Sequence, residues 1–79
     1  MEELIKALHD GTILSLDFKT DENGSPVIFG TFDDSGSVKD LYVVFDPQTL
    51  VEINVISKGP VVEYVVYVKY PDVESWIKL

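Results

Sequence analysis

The stretch VVEYVVYVKY, Val61–Tyr70, carries apolar side chains on both faces of the strand that it predicts. A strand with one face in a core alternates apolar and polar residues, because successive side chains point to opposite sides of the sheet. Here one face holds three valines and two tyrosines, and on the other face only Glu63 and Lys69 are charged. The second face therefore needs cover, from the chain's own helix and C-terminal segment, from a second copy or from another protein.

Four turn sequences separate the strands that precede and include this stretch. The turns are Asp21–Ser25, Asp33–Ser37, Asp46–Thr49 and Lys58–Pro60, each rich in Asp, Asn, Ser, Gly or Pro. The strands that they bound are Thr12–Thr20, Val27–Phe32, Val38–Phe45, Leu50–Ser57 and Val61–Tyr70. Short turns join antiparallel neighbours, so the pattern predicts a five-stranded antiparallel meander.

Within the first strand, Leu14, Leu16 and Phe18 alternate with polar residues, which predicts that they share the core face. Gly30 inside the second strand indicates a bulge or a close approach of another backbone. After the fifth strand, Asp72–Trp76 is expected to form one helical turn.

A short amphipathic helix is predicted over residues 2–9, before the strands. Leu4, Ile5 and Leu8 fall on one face at helical spacing, and Gly11 suits a left-handed C-terminal cap. The whole chain, residues 1–79, is predicted to be one mainly β (α+β) domain. Its strongly twisted strands are expected to curl into a small barrel or a half-open sheet.

The charge composition excludes several classes of partner. Fourteen acidic residues face six lysines and no arginine, which gives a net charge of −8. That charge repels nucleic acid and anionic membranes, so we expect direct binding to neither. The acidic surface either steers a basic partner toward the protein or serves only to keep a β-rich chain soluble. Cysteine is absent, which excludes disulfides and thiolate metal sites and is typical of a cytoplasmic protein.

No residue pattern in the chain indicates catalysis. His9 is the only histidine, and no nucleophile-elbow sequence surrounds any serine, so its position near the helix end is better explained by the helix dipole. The acidic turns contain the oxygen ligands that calcium prefers, at Asp21, Glu22, Asn23, Asp33 and Asp34. The two turns flank one hairpin strand and are expected at its opposite ends, so turn chemistry explains these residues better than a metal does. We therefore predict a non-enzymatic protein without a cofactor or metal.

Two surfaces remain as candidates for function. The first is an apolar and aromatic interface made of Val61, Glu63, Val65, Tyr67, Tyr42 and Trp76. Tyrosine and tryptophan are common anchors of protein interfaces, although they also close the ends of a core. The second candidate is an acidic surface made of Asp21, Glu22, Asp33, Asp34 and Asp40.

From Gly36 the sequence reads GSVKDLYVVFDPQTLVEINVISKG and then EYVVYVKYPDVESWIKL. This text resembles the PRC-barrel pattern of a glycine, a V-x-D-L-type strand, a D-P-x-T turn and a valine-rich strand, followed by a short strand and a D-V turn. The likeness covers residues 36–79, with Leu50 where the family usually has a glycine. It implies a small β-barrel used for assembly or regulation by protein contact, and it carries over no catalytic residue. The order of one short helix and five strands is also similar to the Sm-like barrel, whose nucleic-acid role needs basic loops that FDDSGSVKD does not supply.

Together these observations predict a protein–protein interaction module with a regulatory or assembly role. We expect it to self-associate, as a homodimer, through the apolar and aromatic sheet face. One alternative is an acidic inhibitor or nucleic-acid mimic that binds a basic partner, and another is a designed domain without a natural function. An assembly domain and an acidic inhibitor differ in one measurable respect, since only the inhibitor's binding should weaken strongly with salt.

Overall fold

A computed structural model describes residues 1–79 as one helix followed by six strands. In chain order the elements are α1 (Glu2–Asp10), β1 (Ile13–Thr20), β2 (Pro26–Asp34), β3 (Ser37–Val44), β4 (Leu50–Lys58), β5 (Val61–Lys69) and β6 (Ile77–Lys78). The mainly β prediction and the N-terminal helix are confirmed. The expected helical turn over Asp72–Trp76 is wrong, because this segment forms a turn and bends that lead into the short strand β6.

The strands form two antiparallel sheets of three strands each, and the predicted five-stranded meander is wrong. Sheet A has the order β1-β2-β3, and sheet B has the order β4-β5-β6. Because β3 and β4 do not pair, the strands close no barrel.

The reason for the break between the sheets lies in the Asp46–Thr49 connection. The turn itself forms as expected, since the Gln48 N–H donates to the Asp46 carboxylate at 3.0 Å and the Thr49 N–H to the Asp46 carbonyl at 2.9 Å. However, Phe45 and Thr49 on either side of it are both buried. The turn therefore carries the chain around a corner of the core into sheet B and does not close a hairpin.

Strand β1 contains a bulge that changes which of its side chains face the core. Ile13 pairs with Phe32 and Ser15 pairs with Thr31, so Leu14 is an extra residue in the register. Leu14 is accordingly 55% exposed, whereas Ile13 and Leu16 pack against the core. The prediction that Leu14, Leu16 and Phe18 share the core face is confirmed for Leu16 and wrong for Leu14, and Phe18 remains 43% exposed.

Gly30 in β2 makes this bulge possible, as the sequence indicated. A Cβ atom added at Gly30 would lie 2.0 Å from the Ser15 carbonyl oxygen, so only glycine lets the β1 backbone come this close.

One hydrophobic core joins the helix to both sheets. Its nine buried residues are Leu4 and Ala7 of α1, Ile28, Phe32, Leu41 and Val43 of sheet A, Phe45 directly after β3, and Val66 and Val68 of β5. The helix therefore contacts the core through Leu4, Ala7 and, partly, Leu8, and not through Ile5 as its spacing suggested. Gly11 ends the helix in the left-handed conformation, with φ of 69°, as predicted.

The core is small for the apolar content of the chain. Only 14 of the 79 residues are buried, so many valines, isoleucines and aromatic residues lie at the surface. The helix is too short and too polar to cross a membrane.

Candidate interaction surfaces

The outer face of sheet B holds four of the residues predicted for an interface. Val61, Glu63, Val65 and Tyr67 alternate along β5 on the side opposite the core residues Val66 and Val68. Val65 is only 8% exposed and Tyr67 is half-buried, whereas Val61 is 61% exposed. The middle of this face is thus already covered within the chain, and its open part lies at the Val61 end.

The other two predicted interface residues lie elsewhere. Trp76 is 47% exposed and directly precedes β6, so it belongs to the region of sheet B. Tyr42 is 60% exposed but lies on β3 of sheet A. The six predicted residues therefore do not form one patch.

Exposed apolar side chains concentrate at the tip of the β4–β5 hairpin. The largest of them there are Val55, Ile56, Val61 and Val62, which lie on both faces of the hairpin beside the Lys58–Pro60 turn. A groove of about 340 Å³ separates this tip from the end of α1, and Leu8, Ile13, Val62 and Tyr64 contribute to its lining. His9 also lines the groove, is exposed, and makes no side-chain hydrogen bond.

Strand β4 presents an unpaired edge along its whole length. It pairs with β5 over all nine residues from Leu50 to Lys58, without a bulge, and has no strand on its other side. None of the backbone hydrogen bonds outside the regular elements involves these residues. Natural proteins usually protect such edges with proline, bulges or several charges, and β4 has no proline and only two charged residues.

The predicted acidic surface is spread over the molecule and forms no single cluster. Asp21 and Glu22 lie in the β1–β2 turn, and Asp33 and Asp34 lie at the opposite end of the same sheet, as expected from the hairpin. Asp40 lies in the middle of β3. No group of three acidic or histidine side chains is arranged to hold a metal ion.

Turn formation accounts for two of these carboxylates. The Asp21 carboxylate accepts hydrogen bonds from the Asn23 and Ser25 N–H groups, both at 2.9 Å. The Asp33 carboxylate accepts one from the Gly36 N–H at 2.9 Å. Both are side-chain-to-backbone bonds of the kind that stabilise turns.

Asp34 forms the shortest ion pair of the molecule, with Lys39 across the β2–β3 hairpin. The Lys39 Nζ and the Asp34 carboxylate are 2.7 Å apart, and both side chains remain substantially exposed. The hydrogen bond from Lys39 and its positive charge lower the pKa of the Asp34 carboxyl below its usual 3.8. The same contact raises the pKa of Lys39 above its usual 10.5.

Charge is distributed unevenly between the two halves of the chain. Residues 1–49, which form α1 and sheet A, hold ten acids and three lysines, a net charge of −7. Residues 50–79, which include sheet B, hold four acids and three lysines, a net charge of −1. The acidic character of the protein therefore belongs to α1 and sheet A.

The outer face of sheet A combines aromatic rings, carboxylates and one lysine. Asp17, Phe29 and Tyr42 lie opposite one another on the three strands. The Lys19 Nζ lies 5.3 Å from the centroid of the Phe29 ring and 5.2 Å from that of the Tyr42 ring. Both distances are typical of cation–π contacts.

An open groove of about 630 Å³ lies beside the Phe29 and Tyr42 rings. Asp17, Asp40, Phe29, Tyr42 and Tyr64 are among the residues that line it. Sequence reasoning singled out Tyr42 and Asp40 for different surfaces, and the structure brings them together here. It overlooked Phe29 and Lys19. Strict alternation would have placed both on the outer face of sheet A, because each directly follows a residue, Ile28 or Phe18, on the opposite face.

A scan of family models, a search of curated proteins and a search of solved structures each returned no match to this chain. The resemblance of residues 36–79 to PRC-barrel domains therefore stays a prediction.

Proposed function

We propose that this chain is a non-enzymatic interaction module that self-associates through sheet B and serves an assembly or regulatory role, in a cytoplasmic setting that suits its cysteine-free sequence. The free edge of β4 is the observation that supports the proposal most strongly. Its unpaired N–H and C=O groups form a template for another strand.

A second copy fits this edge with complementary charges. In an antiparallel pairing of two β4 strands around a two-fold axis at Val55, Glu52 of each copy lies opposite Lys58 of the other. Ile53 then faces Ser57, and residues on each side of the combined sheet keep their core-facing or solvent-facing positions. Opposite charges directly across a strand pair favour that register, and each such pair stabilises by roughly 0.2–1 kcal/mol.

Exposed apolar side chains add to the seam, the paired β4 edges of the two copies. Val55 is 60% exposed in the single chain, and its counterpart across the axis would cover it. Ile56 would lie opposite Asn54; within its own hairpin it pairs with Glu63, and the exposed Val61 lies diagonal to it on the same face. The self-associating module expected from the sequence would thus make its contact at the edge of β4 and not at the face of β5, because Val65 is buried and Tyr67 is half-buried within the chain.

A single-cysteine crosslink tests the seam, since the chain has no cysteine of its own. Directly opposed residues of an antiparallel pair have Cβ atoms roughly 4.5–5.5 Å apart, close to what a disulfide spans. We expect Val55→Cys to form a covalent dimer under mild oxidation, seen on a non-reducing denaturing gel.

The matched control is Val38→Cys, at another exposed valine on an edge strand, in sheet A. It should crosslink far less at the same protein concentration. Equal crosslinking of the two variants, or none at position 55 or elsewhere along β4, would contradict the proposal.

A further inference from the structure

We propose that the outer face of sheet A, built around Phe29 and Tyr42, is a binding site for a lysine- or arginine-bearing segment of a basic protein. This site is centred on sheet A and does not depend on self-association, although its groove reaches Tyr64, the β5 partner of Val55. Its ligand would place one cationic side chain on the two rings, in the position that the chain's own Lys19 ammonium occupies.

The seated lysine is the first observation that carries the inference. A single ammonium lies within 5.3 Å of both ring centroids, so the two rings together form a platform of the right size for a cation. Lys19 carries no ion pair with a carboxylate and is exposed, so an incoming cation displaces it at little cost.

The carboxylates beside the platform are the second observation. Asp17 lies directly opposite Phe29 on the neighbouring strand, and Asp40 lies two residues before Tyr42 on β3, on the same face of that strand. Both line the groove around the platform. Neither carboxylate forms an ion pair within the chain. Asp17 accepts one hydrogen bond, from the N–H of the adjacent Phe18 at 2.8 Å, which leaves its second oxygen available to a ligand.

The third observation concerns the size and charge of the surroundings. The groove is open and about 630 Å³ in volume, which suits an extended segment better than a single small cation. The net charge of −7 on residues 1–49 attracts a polybasic chain toward this side of the molecule. A nucleic acid is repelled by the same charge.

An acetylated and amidated oligolysine peptide is the probe, and its binding to Lys19→Gln tests the site. Removing the resident ammonium frees the rings, so we expect binding tighter by about two- to fivefold, the equivalent of one exposed cation–π contact. Lys78→Gln is the matched control, because it removes one positive charge from sheet B, away from the groove. Fluorescence anisotropy at fixed salt gives both dissociation constants.

The platform itself is tested by Tyr42→Leu, which leaves the net charge unchanged. We expect it to weaken peptide binding by about two- to fivefold, with Trp76→Leu as the control for loss of an exposed aromatic residue. Three results would overturn the inference: no binding of the peptide, equal effects of Lys19→Gln and Lys78→Gln, or no effect of Tyr42→Leu. Each can occur while the protein still dimerises, so the inference and the proposed function can fail separately.

Discussion

Sheets A and B each have three strands and share one core, yet they differ in surface charge and in the regularity of their edge strands. Sheet A and the helix carry a net charge of −7, and the bulge at Leu14 interrupts one edge of the sheet. Sheet B belongs to a part of the chain with a net charge of −1, and its β4 edge is unbroken. Because bulges and charges discourage strand addition, the bulged β1 edge is less suited to self-pairing than the β4 edge, and the net charge of −7 disfavours a second copy at β3, the other edge of sheet A. The contrast indicates two different modes of contact in one small domain.

The largest expected effect comes from the close approach that shapes sheet A. Gly30→Ala places a Cβ atom 2.0 Å from the Ser15 carbonyl oxygen, so the β1 backbone must move. We expect a loss of about 3 kcal/mol in the free energy of unfolding, the upper part of the range for overpacking. Urea denaturation measures it.

The control for that change is Gly59→Ala in the hairpin turn of sheet B. An added Cβ meets nothing within 4 Å there, and only its φ of 62° disfavours alanine. The expected loss is about 1 kcal/mol. A smaller loss for Gly30→Ala than for Gly59→Ala would remove the special role given to the bulge.

A lysine placed on one edge strand of each sheet distinguishes the β4 edge from the β3 edge as the dimer contact. Val55→Lys puts two like charges across the proposed two-fold axis, and we expect the dimer dissociation constant to rise at least about tenfold. Val38→Lys adds the same charge to the edge of sheet A and should leave the constant nearly unchanged. Sedimentation equilibrium provides both values, and an equal response would show that the β4 edge is not the seam.

A smaller effect, an increase in stability, is expected from a substitution at Thr49, in the connection between the two sheets. The Thr49 hydroxyl is buried without a hydrogen-bond partner, although its N–H group donates to Asp46. Thr49→Val keeps the shape and removes the unpaired hydroxyl, so we expect a gain of about 1 kcal/mol in stability. Thermal unfolding measures the change, and a clear loss of stability would mean that the hydroxyl has a partner in solution.

The smallest effect concerns the Asp34–Lys39 pair of sheet A. Because the folded-state pKa of Asp34 is lowered, the pair's contribution to stability is present above pH 3.8 and is lost as the pH falls through the folded-state value. Lys39→Met should return the pKa of Asp34 toward 3.8, as followed by NMR titration of the carboxyl. An unchanged pKa would mean that the contact is not populated in solution.

The sequence predicted local features of this fold better than its topology. Gly11, the turn carboxylates of Asp21 and Asp33, and the close approach at Gly30 each follow from rules that involve only nearby residues. The division into two sheets follows from the burial of Phe45 and Thr49, which depends on the whole core. Periodicity also failed at Leu14, because one extra residue reverses the faces of a strand.

The candidate surfaces were predictable only in part. The alternation in Val61–Tyr70 indicated two apolar faces and a need for cover, but it did not show that Val65 is buried within the chain while Val61 stays exposed. The free edge of β4 results from strand order, which the turns alone did not determine. The Phe29–Tyr42 platform likewise needs the register of β2 with β3.

Sedimentation of the unmodified protein across concentration, at low and at high salt, would establish whether sheet B mediates self-association. We expect a monomer–dimer equilibrium that salt changes little, because backbone pairing and apolar contacts of sheet B supply most of the association and the exposed Glu52–Lys58 pairs supply little. A monomer at all concentrations, or a dimer that dissociates at high salt, would contradict the assignment of self-association to sheet B.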